Sequence, residues 1–357
     1  MRVPFLRLGL LFLLGRGPLV LAQQGVPASA VVPVDQQWGN LQLNSLQVPS
    51  AVASSPGETA APSAQAAIGV NYVQNANALR AFYTANPGYA NDNAAMLLEA
   101  QNLVSAQFYG VTTEVARCNA LVAQLRDNPA LPADQRFSLA SFADSRVLIL
   151  TQFSSDAVRL AQFEASARNL IQEYPTIPEP YQALMGFCQD CADAQAIRIA
   201  TDLLAMPAPQ DVLTQAQLIL NRYSLVGKSL ATVLGAALPA SHVPTALSGR
   251  ITIVYAWSTA NVGSQIVAKQ IAVLAPAGTT MVGVNTDTNV SEASALVLTQ
   301  GLPGSQLYDS TGMGSKVAQA LYLNGDSVVI ITNKAGVIAT VSGRVGLAAK
   351  IQSAENQ

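Results

Sequence analysis

The run Ile251-Thr-Ile-Val-Tyr-Ala-Trp257 constrains this chain more than any other stretch. It carries no charge and is rich in β-branched and aromatic side chains, so it reads as a buried strand. It enters a turn of small residues, Ser258-Thr-Ala-Asn261, and then a helical apolar period from about Gly263 to Leu274. Strand and helix patterns go on alternating after it. Strands are predicted at 280–285, 306–308, 327–332 and 337–341, and helices at 291–300, 312–321 and 345–354. That alternation implies an α/β layered sheet.

Upstream, from about Ala67 to Leu225, apolar residues recur at spacings of three and four, as in Leu97, Leu98, Ala100, Leu103, Val104 and Phe108. Proline-containing breaks at Asn86-Pro87, Asn128 to Pro132, Tyr174 to Pro180 and Met206 to Pro209 interrupt the pattern. Proline cannot continue a helix and pushes the residue before it towards extended conformations, so these breaks predict turns between seven or eight helices packed as hairpins. Asp134 and Asp211 follow two of the breaks, where a carboxylate favours a helix N-terminus.

Met1 to Ala22 has the pattern of a secretory signal: Arg2 and Arg7, an apolar Leu8 to Leu14, and a small-residue site at Val20-Leu-Ala22. Arg16 breaks the apolar run short of the ~20 residues that span a bilayer. Cleavage would leave 16 basic residues against 21 acidic, −5 in place of −2. No integral membrane span is expected after cleavage, and the expected location is periplasmic or secreted. Residues 23–66 are rich in Ala, Pro, Ser, Val and Gln and read as a flexible linker; Trp38-Gly-Asn-Leu-Gln-Leu43 offers a short docking element as the alternative, and a solvated linker is the favoured reading. The resulting organisation is 1–22 signal, 23–66 disordered linker, 67–225 helical hairpins and 226–357 the α/β domain. Charged residues make up only 11% of the chain, and no basic run interleaved with aromatics appears, which argues against nucleic acid as a partner.

Several landmarks of the last domain resemble the thioredoxin-like family, in particular thiol-disulfide oxidoreductases of the TlpA type. They are Trp257 to Ser264, Val282-Gly-Val-Asn-Thr-Asp287, Leu307-Tyr-Asp309 and Leu323-Asn-Gly-Asp-Ser-Val-Val-Ile-Ile331. Leu247-Ser-Gly-Arg250 resembles the family's step into the strand, and Asn333-Lys-Ala-Gly336 suits the tight turn of its closing strand pair. The resemblance covers about Leu225 to Gln352 and implies a central mixed sheet flanked by helices. Ala165 to Pro180 also looks like a junction between tetratricopeptide-like helices, which often precede such domains, although no fixed repeat emerges.

The resemblance further implies where chemistry ought to sit, and there this chain departs from the pattern. Exchange needs an attacking thiolate and a second, resolving thiol. Asn261 and Ser264 stand at the two cysteine positions, and capping the helix is the structural role open to both. Gly325-Asp-Ser327 stands at the Gly-x-Pro step, with Ser327 in place of the cis-proline, so a trans bond is expected. Val267 replaces an acidic residue. A concave edge lined by Trp257, Asn261, Ser264 and Ser327 would be the place for a bound protein or peptide.

The chain's three cysteines are Cys118, Cys188 and Cys191. Cys188-Gln-Asp-Cys191 is the one CxxC; it reads as buried small hydrophobes, a structural disulfide, a bond from one of them to Cys118, or an alternative redox pair. Zinc would need more ligands than this motif offers. Asp287 to Glu292 lacks the glycine and distal acid of a calcium loop and reads as a turn with an N-cap at Ser291. His242 is the single histidine, and no nucleophile elbow accompanies it. Gly312-Met-Gly314 lacks the lysine of a phosphate loop. No metal or cofactor is therefore expected. Three readings follow: a redox-inactive binding or scaffold protein, an extracytoplasmic thiol-disulfide oxidoreductase using Cys188 and Cys191, and, with least support, a flavodoxin-like sheet.

Overall fold

The structure is a computed structural model that describes residues 32–46, 62–150, 156–188, 191–235, 237, 249–325, 327–342 and 345–357. Residues 1–22, read above as a secretory signal, lie outside the described residues, as do His242, Asp326 and the peptide bond joining Asp326 to Ser327. The chain falls into two compact units that divide between Tyr174 and Pro175.

The first unit is helical. Its described elements are α1 (Val34–Leu46), α2 (Pro62–Ala85), α3 (Asp92–Phe108), α4 (Val115–Arg126), α5 (Ala133–Leu150) and α6 (Asp156–Glu173). Leu103, Val104, Leu121, Leu125 and Leu139 form its main core. Glu99 is buried among them, where Arg117 donates to it at 2.7 Å and Tyr83 at 2.7 Å. The pairing satisfies a charge that burial alone would make costly. Helix α1 corrects the reading of 23–66 as an unstructured linker, and α2 begins inside that stretch as well. Val34, Trp38 and Leu41 recur at i, i+4 and i+7 and meet Leu79 and Phe82, with the Trp38 and Phe82 rings stacked at 5.8 Å. Three apolar residues among glutamines and asparagines make too narrow a stripe to stand out as a period.

The second unit opens with α7 (Glu179–Phe187), α8 (Asp193–Leu204), α9 (Gln210–Tyr223) and α10 (Leu230–Gly235). Then come β1 (Thr252–Trp257), α11 (Val262–Leu274), β2 (Thr280–Asn285), α12 (Val290–Gln300) and β3 (Ser305–Leu307). A short 3-10 turn (Gly312–Gly314) and α13 (Lys316–Ala320) stand where one helix over 312–321 is predicted, and the chain closes with β4 (Val329–Thr332), β5 (Ile338–Ser342) and α14 (Leu347–Glu355). Helices α7 to α9 belong to this unit rather than to the helices before them, and contacts from Asp193 and Arg222 show why. Asp193 of α8 accepts from Lys350 of α14 at 2.6 Å, and Arg222 of α9 grips the carbonyl of Tyr322.

The sheet order is β3-β2-β1-β4-β5. Strand β1 lies parallel to β2 and antiparallel to β4; β3 runs parallel to β2, and β5 antiparallel to β4. This is the thioredoxin-like arrangement that the sequence implies, a mixed sheet with helices on both sides. The sheet forms because its strands alternate two apolar sets. Ile253, Tyr255 and Trp257 face a core shared with α11, α12 and α14, while Val254 and Ala256 face one shared with α10 and α13. The predicted turn at 333–336 joins β4 to β5: the Asn333 carboxamide accepts from Ala335 and Val337, both at 3.0 Å, and Gly336 takes φ +75°.

Candidate functional site

Strand β1 ends at Trp257 with all six of its residues buried, and the turn that follows is closed by its own polar side chains. The Ser258 hydroxyl accepts from the Asn261 amide at 3.2 Å. Thr259 donates its amide to Asp287 at 2.8 Å and its hydroxyl to the same carboxylate at 3.2 Å. Asp287 also accepts from the Asn285 carboxamide at 2.7 Å. The Asp287 landmark is thus a brace for the turn, its oxygens engaged with neighbours. Gln265 reaches back to the carbonyls of Ser258 and Thr259.

Asn261 is the N-cap of α11. Its Oδ1 accepts the Ser264 amide at 3.1 Å, satisfying one of the orphan N–H groups of the first turn. Ser264, 1% exposed, donates its hydroxyl to the Asn261 carbonyl at 2.6 Å and accepts from the Ser258 amide at 3.2 Å. Val267, one turn on, is core. The Asn261 Nδ2 donates across the site to the carbonyl of Gly325 at 3.1 Å. Gly325 thus lies against the turn at Asn261, and the Ala256 amide bonded to the Val328 carbonyl at 2.9 Å continues the contact.

Of the four side chains assigned to a concave edge, only Asn261 and Ser327 are partly exposed. Trp257 is 1% exposed and does not line a surface. Its Nε1 donates to Gln306 Oε1 at 2.9 Å, and Gln306 Nε2 donates to the Tyr255 hydroxyl at 2.8 Å. Tyr255 in turn donates to the Pro303 carbonyl. Burial pushes the Tyr255 phenol up to about 12. Gln306 can lie there because its register partner on β2 is Gly283, where a Cβ would overlap the carboxamide. A glycine inside a strand pattern signals such an approach, though not what approaches. The Tyr308 ring meets Trp257 edge-on at 6.5 Å.

The loop carrying Gly325 is held from α9. Arg222, 8% exposed, donates to the Tyr322 carbonyl from Nε at 3.0 Å and from Nη2 at 2.7 Å, and to Asn324 Oδ1 at 2.6 Å. Asn324 Nδ2 donates to Gln215, one helical face back on α9, at 2.8 Å. Tyr322 is the one described non-glycine residue with positive φ, at +50°. Nothing in the sequence singled Arg222 out. A further correction concerns α12, capped by Asn289 rather than Ser291. Asn289 Oδ1 accepts the Glu292 amide at 3.2 Å, and its Nδ2 donates to the Glu292 carboxylate at 3.2 Å.

Among the described residues, no hydrogen bond of this turn involves Cys188 or Cys191, the two cysteines of the same unit. Cys188 closes α7 and Cys191 precedes α8; they are 8% and 5% exposed. The Cys188 thiol lies 3.8 Å from the carbonyls of Leu184 and Ala196. Cys118 is a free, fully buried thiol in the first unit. No described helix is long and apolar enough to cross a membrane.

No family model matches this sequence, and no curated protein matches it. Among solved structures, the C-terminal domain of a candidate thiol-disulfide oxidoreductase from Bacteroides thetaiotaomicron is similar at 18% identity, covering 32% of this chain and 82% of that one, with a TM-score of 0.29. A thioredoxin-like protein from Parabacteroides distasonis is 18% identical over 33% of this chain and 92% of its own, with a TM-score of 0.28. A candidate thiol-disulfide oxidoreductase from Bacteroides vulgatus is 22% identical over 31% and 72%, with a TM-score of 0.24.

Proposed function

We propose that this is an exported protein whose thioredoxin-like domain binds a protein or peptide without catalysing thiol-disulfide exchange. One observation carries the reading: the positions that would hold the two thiols hold Asn261 and Ser264, both engaged in the cap of α11. The same Asn261 occupies the Gly325 carbonyl. No cysteine occurs anywhere after Cys191, so the sheet and its turn contain no thiol at all. Fold and chemistry separate here, since activity lives in the site rather than the architecture. Beside the turn, Val262 and Ile266 expose 63% and 60% of their surface one helical turn apart, which suits an apolar contact with a partner.

Insulin reduction tests the reading. The full chain should leave insulin disulfides intact in the presence of dithiothreitol beyond the reagent's own rate, and turnover at the rate of an ordinary thioredoxin would refute it. The competing reading, exchange at Cys188 and Cys191, predicts activity that Cys188→Ser abolishes. The burial of both thiols weighs against it, and resistance of the folded protein to alkylation at these two positions would end it. Export predicts a mature N-terminus at Gln23 by mass spectrometry of the secreted chain.

A further inference from the structure

The helical unit contains a half-open cleft of about 440 Å3 between α4, α5 and the end of α6. That is within the range of sites that take small ligands. Its floor is apolar, from Val122 and Ala143, and its walls are charged. Arg126 and Glu173 cancel each other in a two-pronged ion pair. Among the described residues the other charges make no salt bridge, and Asp144 feels only a longer-range attraction from Arg126. Arg146 is held only by neutral acceptors, Gln107 Oε1 at 3.1 Å and Asn119 Oδ1 at 3.0 Å, with the Cys118 sulfur at 4.0 Å. Both oxygens meet the same nitrogen, Nη1, so the remaining donors of the guanidinium fork have no partner among the described residues. Asp144, which accepts from Ser166 at 2.7 Å, and Asp127 line the same cleft.

From this arrangement we infer a binding site for a free amino acid or very short peptide. A guanidinium with an open fork matches a carboxylate bidentately. Asp127 and Asp144 match ammonium groups, and the apolar floor takes the methylene chain. A purely anionic ligand such as phosphate would meet more carboxylates than free cations, so the lining selects a zwitterion. One open cation against two open carboxylates further selects a basic amino acid over an acidic one.

The test is isothermal titration of the full chain with L-lysine, L-glutamate and inorganic phosphate. Lysine should bind, and at least tenfold more tightly than either of the others. Arg146→Gln should weaken lysine binding tenfold or more. Because Arg146 also anchors Gln107 and Asn119, Asp144→Asn serves as a second variant that leaves those bonds in place; it too should weaken lysine binding. The inference is overturned if lysine gives no heat of binding in the folded wild type, if phosphate or glutamate binds as well as lysine, or if Asp144→Asn binds lysine unchanged.

Discussion

Replacing Asn261 separates the two tasks that its carboxamide performs. In Asn261→Ala the cap is lost, which costs about 1 kcal/mol at a helix N-terminus. The bond to the Gly325 carbonyl goes too, at about 1 kcal/mol for a neutral hydrogen bond. Together they lower the stability of the second unit by about 2 kcal/mol, or roughly 4–8 °C in Tm for a unit of this size. Asn261→Asp keeps an acceptor for the Ser264 amide, and its charge interacts favourably with the helix N-terminus by about 0.3–1 kcal/mol. It has no donor for Gly325, so an anion then faces a carbonyl.

The aspartate variant should therefore fall between wild type and alanine, near 1 kcal/mol. Hydrogen exchange resolves the two terms in place. Both variants should exchange faster around 323–329, while only alanine should expose the Ser264 amide. Urea titration of the full chain gives the energies. If Asn261→Ala melts as wild type does, or if aspartate and alanine are indistinguishable in both segments, the carboxamide does not hold the site together.

Three further outcomes follow from neighbouring contacts. Gly283→Ala drives a methyl group into Gln306, so it should cost about 1–3 kcal/mol through the orphaned Trp257 N–H, and Gly283→Ala with Gln306→Ala should cost less than the sum in a double-mutant cycle. Arg222→Ala should cost about 2–4 kcal/mol by freeing the Tyr322 carbonyl and its positive-φ backbone, with faster exchange at 322–325, whereas a loss below about 0.5 kcal/mol would show that the loop holds itself. Tyr255 has its pKa raised to about 12 from 10.0, so the unfolded chain ionises first and the native state retains the proton. Its contribution is complete below pH 10 and is lost as the pH rises towards 12. Stability in that window should fall more steeply in wild type than in Tyr255→Phe, by about 2–3 kcal/mol over two pH units.

Periodicity made the sheet legible because each strand is short, apolar and bounded by a turn signal, so every predicted strand from Ile251 onward lies within two residues of an observed one. The positions of Asn261 and Ser264 were legible for a different reason: the resemblance of the turn to a family motif singled them out, and capping the helix was the role open to their side chains. What stayed hidden depends on partners distant in sequence. Arg222 lies 100 residues from the carbonyl it grips, and an arginine in the last turn of a helix ordinarily interacts with the dipole there. Gly283 announced a close approach without naming Gln306. The Asn289 cap was lost to Ser291 because both are good caps, and only the backbone geometry chooses between them.

On the proposed reading, the cap at Asn261 also accounts for a turn that keeps its shape without thiols. The free N–H groups at the start of α11 are the feature that would stabilise a thiolate in this place. Here those donors are directed at Asn261 Oδ1, and the hydroxyl of Ser264 ties the turn back to Ser258. Installing cysteine at 261 would place a thiol at the start of α11 but remove the donor to Gly325 and the side-chain acceptor from Ser264, whose amide would keep only the backbone carbonyl of residue 261. A single Asn261→Cys variant should thus lose stability much as alanine does and still lack a resolving thiol at 264. Activity would require Ser264→Cys as well, at a site 1% exposed whose hydroxyl now bridges two backbone groups. The present side chains are coupled to one another, so a single substitution in the turn breaks several contacts at once.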